Sequence, residues 1–199
     1  MREISPAVGV SVDEWLEHMP GIRPFVTELR RQKANGERLR PSHSLIDHSI
    51  VLSETFRREL LDKIADLVHE NYVGRSEMCA QFAELLHRAL SYLDLKSGWV
   101  TGTAMYYDAD GKQLFQWGHS WVRVGKEVVD GNVDCLSENP MVPDEVSIAP
   151  YWGPINETPE DRRLRETSNV TPQSDTDVEN IWWPDLRKWI DERKAREPT

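Results

Sequence analysis

The chain has 199 residues, 39% of them apolar and 29% charged, with a formal net charge of −10. That length suffices for one domain with a sizeable core, and the acidic balance argues against the basic surface that non-specific nucleic-acid or anionic-membrane binding needs. No run approaches membrane-spanning length, "MREISPAVGVSVDEWLEH" has no apolar signal core, and two cysteines make no disulfide framework, so a cytoplasmic protein is expected.

"SVDE" at 11–14 has the capping-box pattern, with Ser11 as cap and Glu14 reaching back, and predicts a short helix to about Met19. Pro24 suits the start of a second helix, "PFVTELRRQKAN", that stops at Asn35-Gly36. Residues 37–52 read as a loop. Ser53 then caps a strong helix to about Asn71, with Phe56, Leu60, Ile64, Leu67 and Val68 on one face. After Gly74, Ser76 is the expected cap of a central helix whose apolar stripe is Cys79, Phe82, Ala83, Leu86, Leu90 and Leu93. Cys79 falls in its first turn.

The period then changes to two. "WVTGTAMYY", "QLFQWGHSWVRV" and "EVVDGN" read as three antiparallel strands, the last two joined by Gly125-Lys126. Residues 136–180, which include "PYWGP", read as a long covering loop, and "WWPDLRKWIDERK" as a terminal helix. Helices followed by a meander give an α+β class.

The hairpin carries the chemistry. With Gly125-Lys126 as the turn, Val124 faces Glu127, and counting back puts Asp130 opposite Trp121 and diagonal to His119, on one face with Val128 and Asn132. Imidazole and carboxylate are therefore within reach of each other, and a one-residue register slip would separate them. A thiol in the first turn of a helix meets unpaired N–H groups and the positive end of the helix dipole, which favour thiolate. The same groups suit an oxyanion. Cys79 is read as nucleophile, His119 as proton carrier and Asp130 as the group that orients the imidazole.

Each residue has a plainer reading: Cys79 as a small core hydrophobe, His119 as a satisfied strand histidine, Asp130 as a hairpin-end residue. Cys135 is the alternative nucleophile, without a helix start around it, and Asp134 the alternative orienting acid, opposite Trp117. "HSLIDH", with His43, Asp47 and His48, offers loose metal-ligand spacing, as a metal-dependent hydrolase would need, but reads better as a polar loop. His18, His69 and His87 fall among charges, as on solvated helix faces. Trp117 and Trp121 flank His119 and line either a cleft or a core, with "PYWGP" as a candidate cleft wall.

"SEMCAQFAELL", "GHSWVRV" and "EVVDGN" together resemble the transglutaminase-like cysteine superfamily, with its papain-like Cys-His-Asp arrangement, in a small bacterial form. Its signature is a cysteine opening a helix, a histidine followed by small–Trp–Val on a strand, and an aspartate on the next strand. The likeness spans about 74–132, the motif core. Where many members follow the aspartate with Pro-Thr, this chain has Gly131-Asn132; where an upstream Gln or Trp often assists the oxyanion, it offers Asn71 or Tyr72.

The resemblance implies one catalytic domain over 1–154, an irregular covering loop over 155–180, and a terminal helix over 181–199 docked on that domain. It implies thiol-dependent acyl chemistry on an amide or ester carbonyl, without cofactor or metal. Hydrolysis of a protein, peptide or small amide is favoured over transfer to an amine. The contrasting expectation is a binding or scaffold module that keeps the fold without turnover.

Overall fold

A computed structural model describes residues 27–28, 31, 35, 40–71, 74–139, 142–167 and 173–196. The chain divides into two units, Met1–Arg38 and Leu39–Thr199. In the first, Thr27, Glu28 and Arg31 are helical, as the 24–35 pattern predicts, and Arg31 pairs with Glu28 one turn away at 2.6 Å. The helix expected after Ser11 lies outside the described residues.

The second unit is α+β. Its helices are α1 (Glu54–Asn71), α2 (Cys79–Tyr92) and α3 (Trp183–Arg196). Its strands are β1 (Ile46–Asp47), β2 (Ser97–Tyr107), β3 (Gln113–Val124), β4 (Glu127–Asp130), β5 (Tyr151–Pro154) and β6 (Arg162–Glu166), in the sheet order β1-β5-β4-β3-β2-β6. All pairs are antiparallel except β1 with β5.

Ser53 caps α1, its Oγ accepting from the Phe56 N–H at 3.3 Å. Leu60, Leu61, Ile64, Leu67 and Val68 on α1 pack with Phe82, Leu85, Leu86, Ala89 and Leu90 on α2. Val122, Val124, Val129 and Trp152 close this core from the sheet, and Leu186 and Ile190 dock α3 onto it. Gly131 makes the packing possible: a β-carbon there would lie 2.7 Å from Phe82 and 2.8 Å from Leu61. A residue with a side chain in that place would have to displace the Phe82 ring and the Leu61 side chain.

Four expectations are corrected. The 136–180 stretch is not a plain loop, because β5 pairs with β4, and β6 pairs with β2. The α2 helix begins at Cys79 with Met78 as its cap, not at Ser76. The reason is that the Ser76 and Arg75 N–H groups are both taken by Glu138 Oε2, at 2.8 and 2.6 Å, which holds this segment in a turn. The strand ends at Asp130, and Asn132 turns away to cap a 3-10 turn at Val133–Glu138. The 37–52 loop contains a 3-10 turn at Pro41–His43 and β1.

The sheet curls. In a flat sheet, β4 and β6 would be three strand spacings apart, about 14 Å. Yet Arg162 of β6 touches Asp130 of β4 at 2.9 Å.

Candidate functional site

The β3–β4 ladder pairs Val124 with Glu127, Arg123 with Val128 and Val122 with Val129. That register carries Asp130 to the place opposite Trp121, diagonal to His119. The side chains close the diagonal, with His119 Nε2–H donating to Asp130 Oδ1 at 2.7 Å. Both residues are only 1% exposed. Trp117 stacks on the imidazole, ring centroids 4.6 Å apart at 18°, and Trp121 lies on the other side at 6.1 Å. Across the β2–β3 ladder His119 faces Gly102, over which Trp121 and the Arg165 backbone are packed.

The other ring nitrogen, Nδ1, is buried and makes no hydrogen bond of ordinary geometry. The half-buried Cys79 thiol is a neighbour of the imidazole that favours its protonated form. Cys79 is the first residue of α2. The Phe82 N–H is bonded to the Met78 carbonyl at 3.0 Å, so the N–H groups of Cys79, Ala80 and Gln81 have no acceptor within the helix. The thiol thus sits at a helix mouth rich in unpaired donors.

Burial alone would depress the His119 pKa. The charge and hydrogen bond of Asp130, with the Cys79 thiol, overcome it and lift the value from 6.5 to about 9. Burial alone would raise the Asp130 pKa; the charges of His119 and Arg162 outweigh that and lower it. The pair is therefore an imidazolium–carboxylate at neutral pH.

Arg162 has no counterpart in the sequence reading. It donates to Asp130 Oδ2 at 2.9 Å, to the Ala149 carbonyl at 2.7 Å and to the Ser147 carbonyl at 3.3 Å. Its guanidinium lies over the Tyr106 ring, 5.5 Å from the centroid. Nothing local in "EDRRLRE" singles it out, since its partner is 32 positions away on a strand that is not its neighbour.

No protein-family model and no curated protein matches this chain. A solved crystal structure of a genomics target is similar over 74% of this chain and 82% of its own, with 16% identity and a TM-score of 0.52. That likeness shows a shared fold and nothing of the chemistry.

The alternative residues go elsewhere. Asp134 pairs with Arg75 at 2.5 Å, not with His119. Cys135 is fully buried, and burial pushes its thiol well above the ordinary range. Asn132 accepts from Arg75 at 3.0 Å and donates to Cys135 Sγ at 3.3 Å. These residues, with Glu138, tie the segment before Cys79 to the turn after Asp130. Asp47 is held by Arg57 at 2.9 Å, and His48 approaches Glu157 at 3.5 Å. Among the described residues no group of three such side chains is placed to hold a metal ion.

His69 is buried and His87 half-buried against Ser97 at 2.8 Å, not on solvated faces; His18 lies outside the described residues. The Asn71 side chain and Tyr72 also lie outside them. "PYWGP" is no separate wall: Trp152 is core, and Tyr151 packs with Trp121 and Val128. Among the described residues no helix is long and apolar enough to cross a membrane.

Proposed function

We propose that Cys79, His119 and Asp130 perform thiol-dependent acyl chemistry on an amide or ester carbonyl, in the manner of transglutaminase-like cysteine enzymes. The observation that carries this reading is the division of labour on one imidazole. Nε2 is committed to Asp130 at 2.7 Å, while Nδ1 is left without a hydrogen bond, on a ring whose protonated form the Cys79 thiol favours.

The roles follow from that geometry. Asp130 accepts the Nε2–H hydrogen bond and fixes the ring, so in the resting thiolate–imidazolium pair Nδ1 is the nitrogen that holds the proton taken from the thiol. The resulting imidazolium is stabilised by the buried carboxylate. Cys79 Sγ forms a bond to the carbonyl carbon, and the carbonyl electron pair moves onto oxygen. The free N–H groups at the start of α2 stabilise that oxyanion. As the tetrahedral species collapses, the imidazolium protonates the departing amine or alkoxide, leaving an acyl-thioester on Cys79. Water as acceptor then yields acid and free thiol, with His119 taking and returning the proton. This is peptidase, amidase or deamidase chemistry. An amine acceptor gives transfer instead.

Alkylation across pH tests this. Iodoacetamide labelling of Cys79, read by mass spectrometry, is expected to be fast well below pH 8, where an ordinary thiol of pKa ~8.5 is slow. The His119→Ala variant is expected to lose that low-pH reactivity, while buried Cys135 stays unlabelled in both. An ordinary thiol profile in the unsubstituted protein would overturn the reading in favour of a non-catalytic binding or scaffold module.

A further inference from the structure

We infer that Arg162 is a positioning residue of this site, which divides the two oxygens of Asp130 between itself and His119 and keeps that carboxylate ionised when acid would otherwise neutralise it. The inference rests on the proposed Cys79–His119–Asp130 chemistry and adds a fourth member, from a strand outside the motif core. Arg162 and Asp130 are 2% and 1% exposed. Oδ1 receives the imidazole N–H at 2.7 Å and Oδ2 the guanidinium at 2.9 Å, so each oxygen has its own donor and the carboxylate cannot rotate without breaking both contacts.

The guanidinium is itself fixed. Its second nitrogen is held by the carbonyls of Ala149 and Ser147, and its face lies over Tyr106. A planar fork anchored on one side by backbone can point its other arm in a single direction. A buried carboxylate needs charge as well as hydrogen bonds to stay ionised. The imidazolium supplies that charge only while it holds its proton. During turnover the proton leaves His119, and Arg162 then remains as a permanent cation beside Asp130.

The groups that act electrostatically on Asp130 come from several elements: His119 of β3, Arg162 of β6, Tyr106 of β2 and Asp134 of the following turn. Tyr106 is held in its neutral form by burial. Asp134 is occupied by Arg75. Arg162 is therefore the fixed cation paired with Asp130.

The experiment is the pH profile of iodoacetamide labelling at Cys79 in the full chain and in Arg162→Gln, Arg162→Lys and Asp130→Asn, with circular dichroism to verify folding. Losing the cation raises the pKa of Asp130 and weakens the field that favours thiolate, and both effects move the acid limb the same way. The Arg162→Gln limb is expected to shift upward by about one pH unit. Arg162→Lys, which keeps the charge, is expected to recover at least half of that shift.

A folded Arg162→Gln with an unshifted limb would overturn the inference, as would a uniform loss of rate at every pH. If Arg162→Gln does not fold, an Arg162→Lys limb displaced by a full unit would overturn it, because charge is retained there. The underlying triad reading fails separately, if the unsubstituted protein shows no low-pH labelling or if Asp130→Asn labels as it does.

Discussion

Gly102 stands directly opposite His119 in the β2–β3 ladder, and a β-carbon on it would lie 2.6 Å from the Trp121 indole and 2.9 Å from the Arg165 carbonyl carbon. The site is therefore closed from beside the imidazole by backbone. Gly102→Ala has to push Trp121 or β6 aside, and overpacking of this kind costs about 1–3 kcal/mol. Urea unfolding should show that loss. Gly98→Ala, in the same strand with nothing within 4 Å of the new carbon, should unfold close to the parent midpoint.

The His119–Asp130 pair makes stability depend on pH. The folded pKa of His119 is raised from 6.5 to about 9, so its contribution is complete below 6.5 and is lost as pH rises through 9. Asp130 runs the other way: its lowered pKa gives stability present above 3.8 and lost only as pH falls through the lower folded value. Thermal midpoints measured from pH 5 to 10 are expected to fall between about 6.5 and 9. The fall should be much smaller in His119→Gln, which lacks the titrating ring.

Asp130→Asn preserves shape and removes charge. The imidazolium then loses its counter-ion, so the ring should titrate at least one unit lower, by histidine proton NMR, than in the parent. Starting from about 9, a ring that titrates one unit lower is still mostly protonated at pH 7, so the slowing of Cys79 alkylation should be read between pH 8 and 9, where the protonated-to-neutral ratio is about tenfold lower than in the parent.

Arg75 is 1% exposed and is paired with Asp134 at 2.5 Å, and its backbone N–H donates to Glu138 at 2.6 Å. Arg75→Met leaves two buried acids without their cation, a loss of about 3–5 kcal/mol. Glu138→Gln keeps an oxygen that accepts from the Arg75 and Ser76 N–H groups and should cost far less. Urea unfolding of the two variants tests the ranking. Because the Arg75 side chain joins the segment before Cys79 to Asn132 and Asp134 after the hairpin, Arg75→Met should also slow Cys79 labelling at a pH where the variant remains folded.

Much of this arrangement is legible from local pattern. The β3 boundaries, the hairpin turn and the Val124–Glu127 register follow from alternation and a two-residue connection, and that register brings His119 to Asp130. The α1 helix and its Ser53 cap follow from period and cap chemistry. What escaped depends on distant partners. Ser76 looks like a cap until Glu138, 62 positions later, takes its N–H. β5 and β6 are short and sit amid proline, asparagine and charge, so neither alternation nor composition marks them; neighbouring strands create them. Arg162 is one arginine among several in a polar stretch until the curl of the sheet delivers it to Asp130.

That curl has a consequence for synthesis. The strand bearing Arg162 pairs with β2 at the opposite end of the ladder from β4, and it is made after all three motif residues. A nascent chain emerging from the ribosome carries cysteine, histidine and aspartate well before the strand that locks the acid in place exists. The full relay is assembled only once β6 has been made.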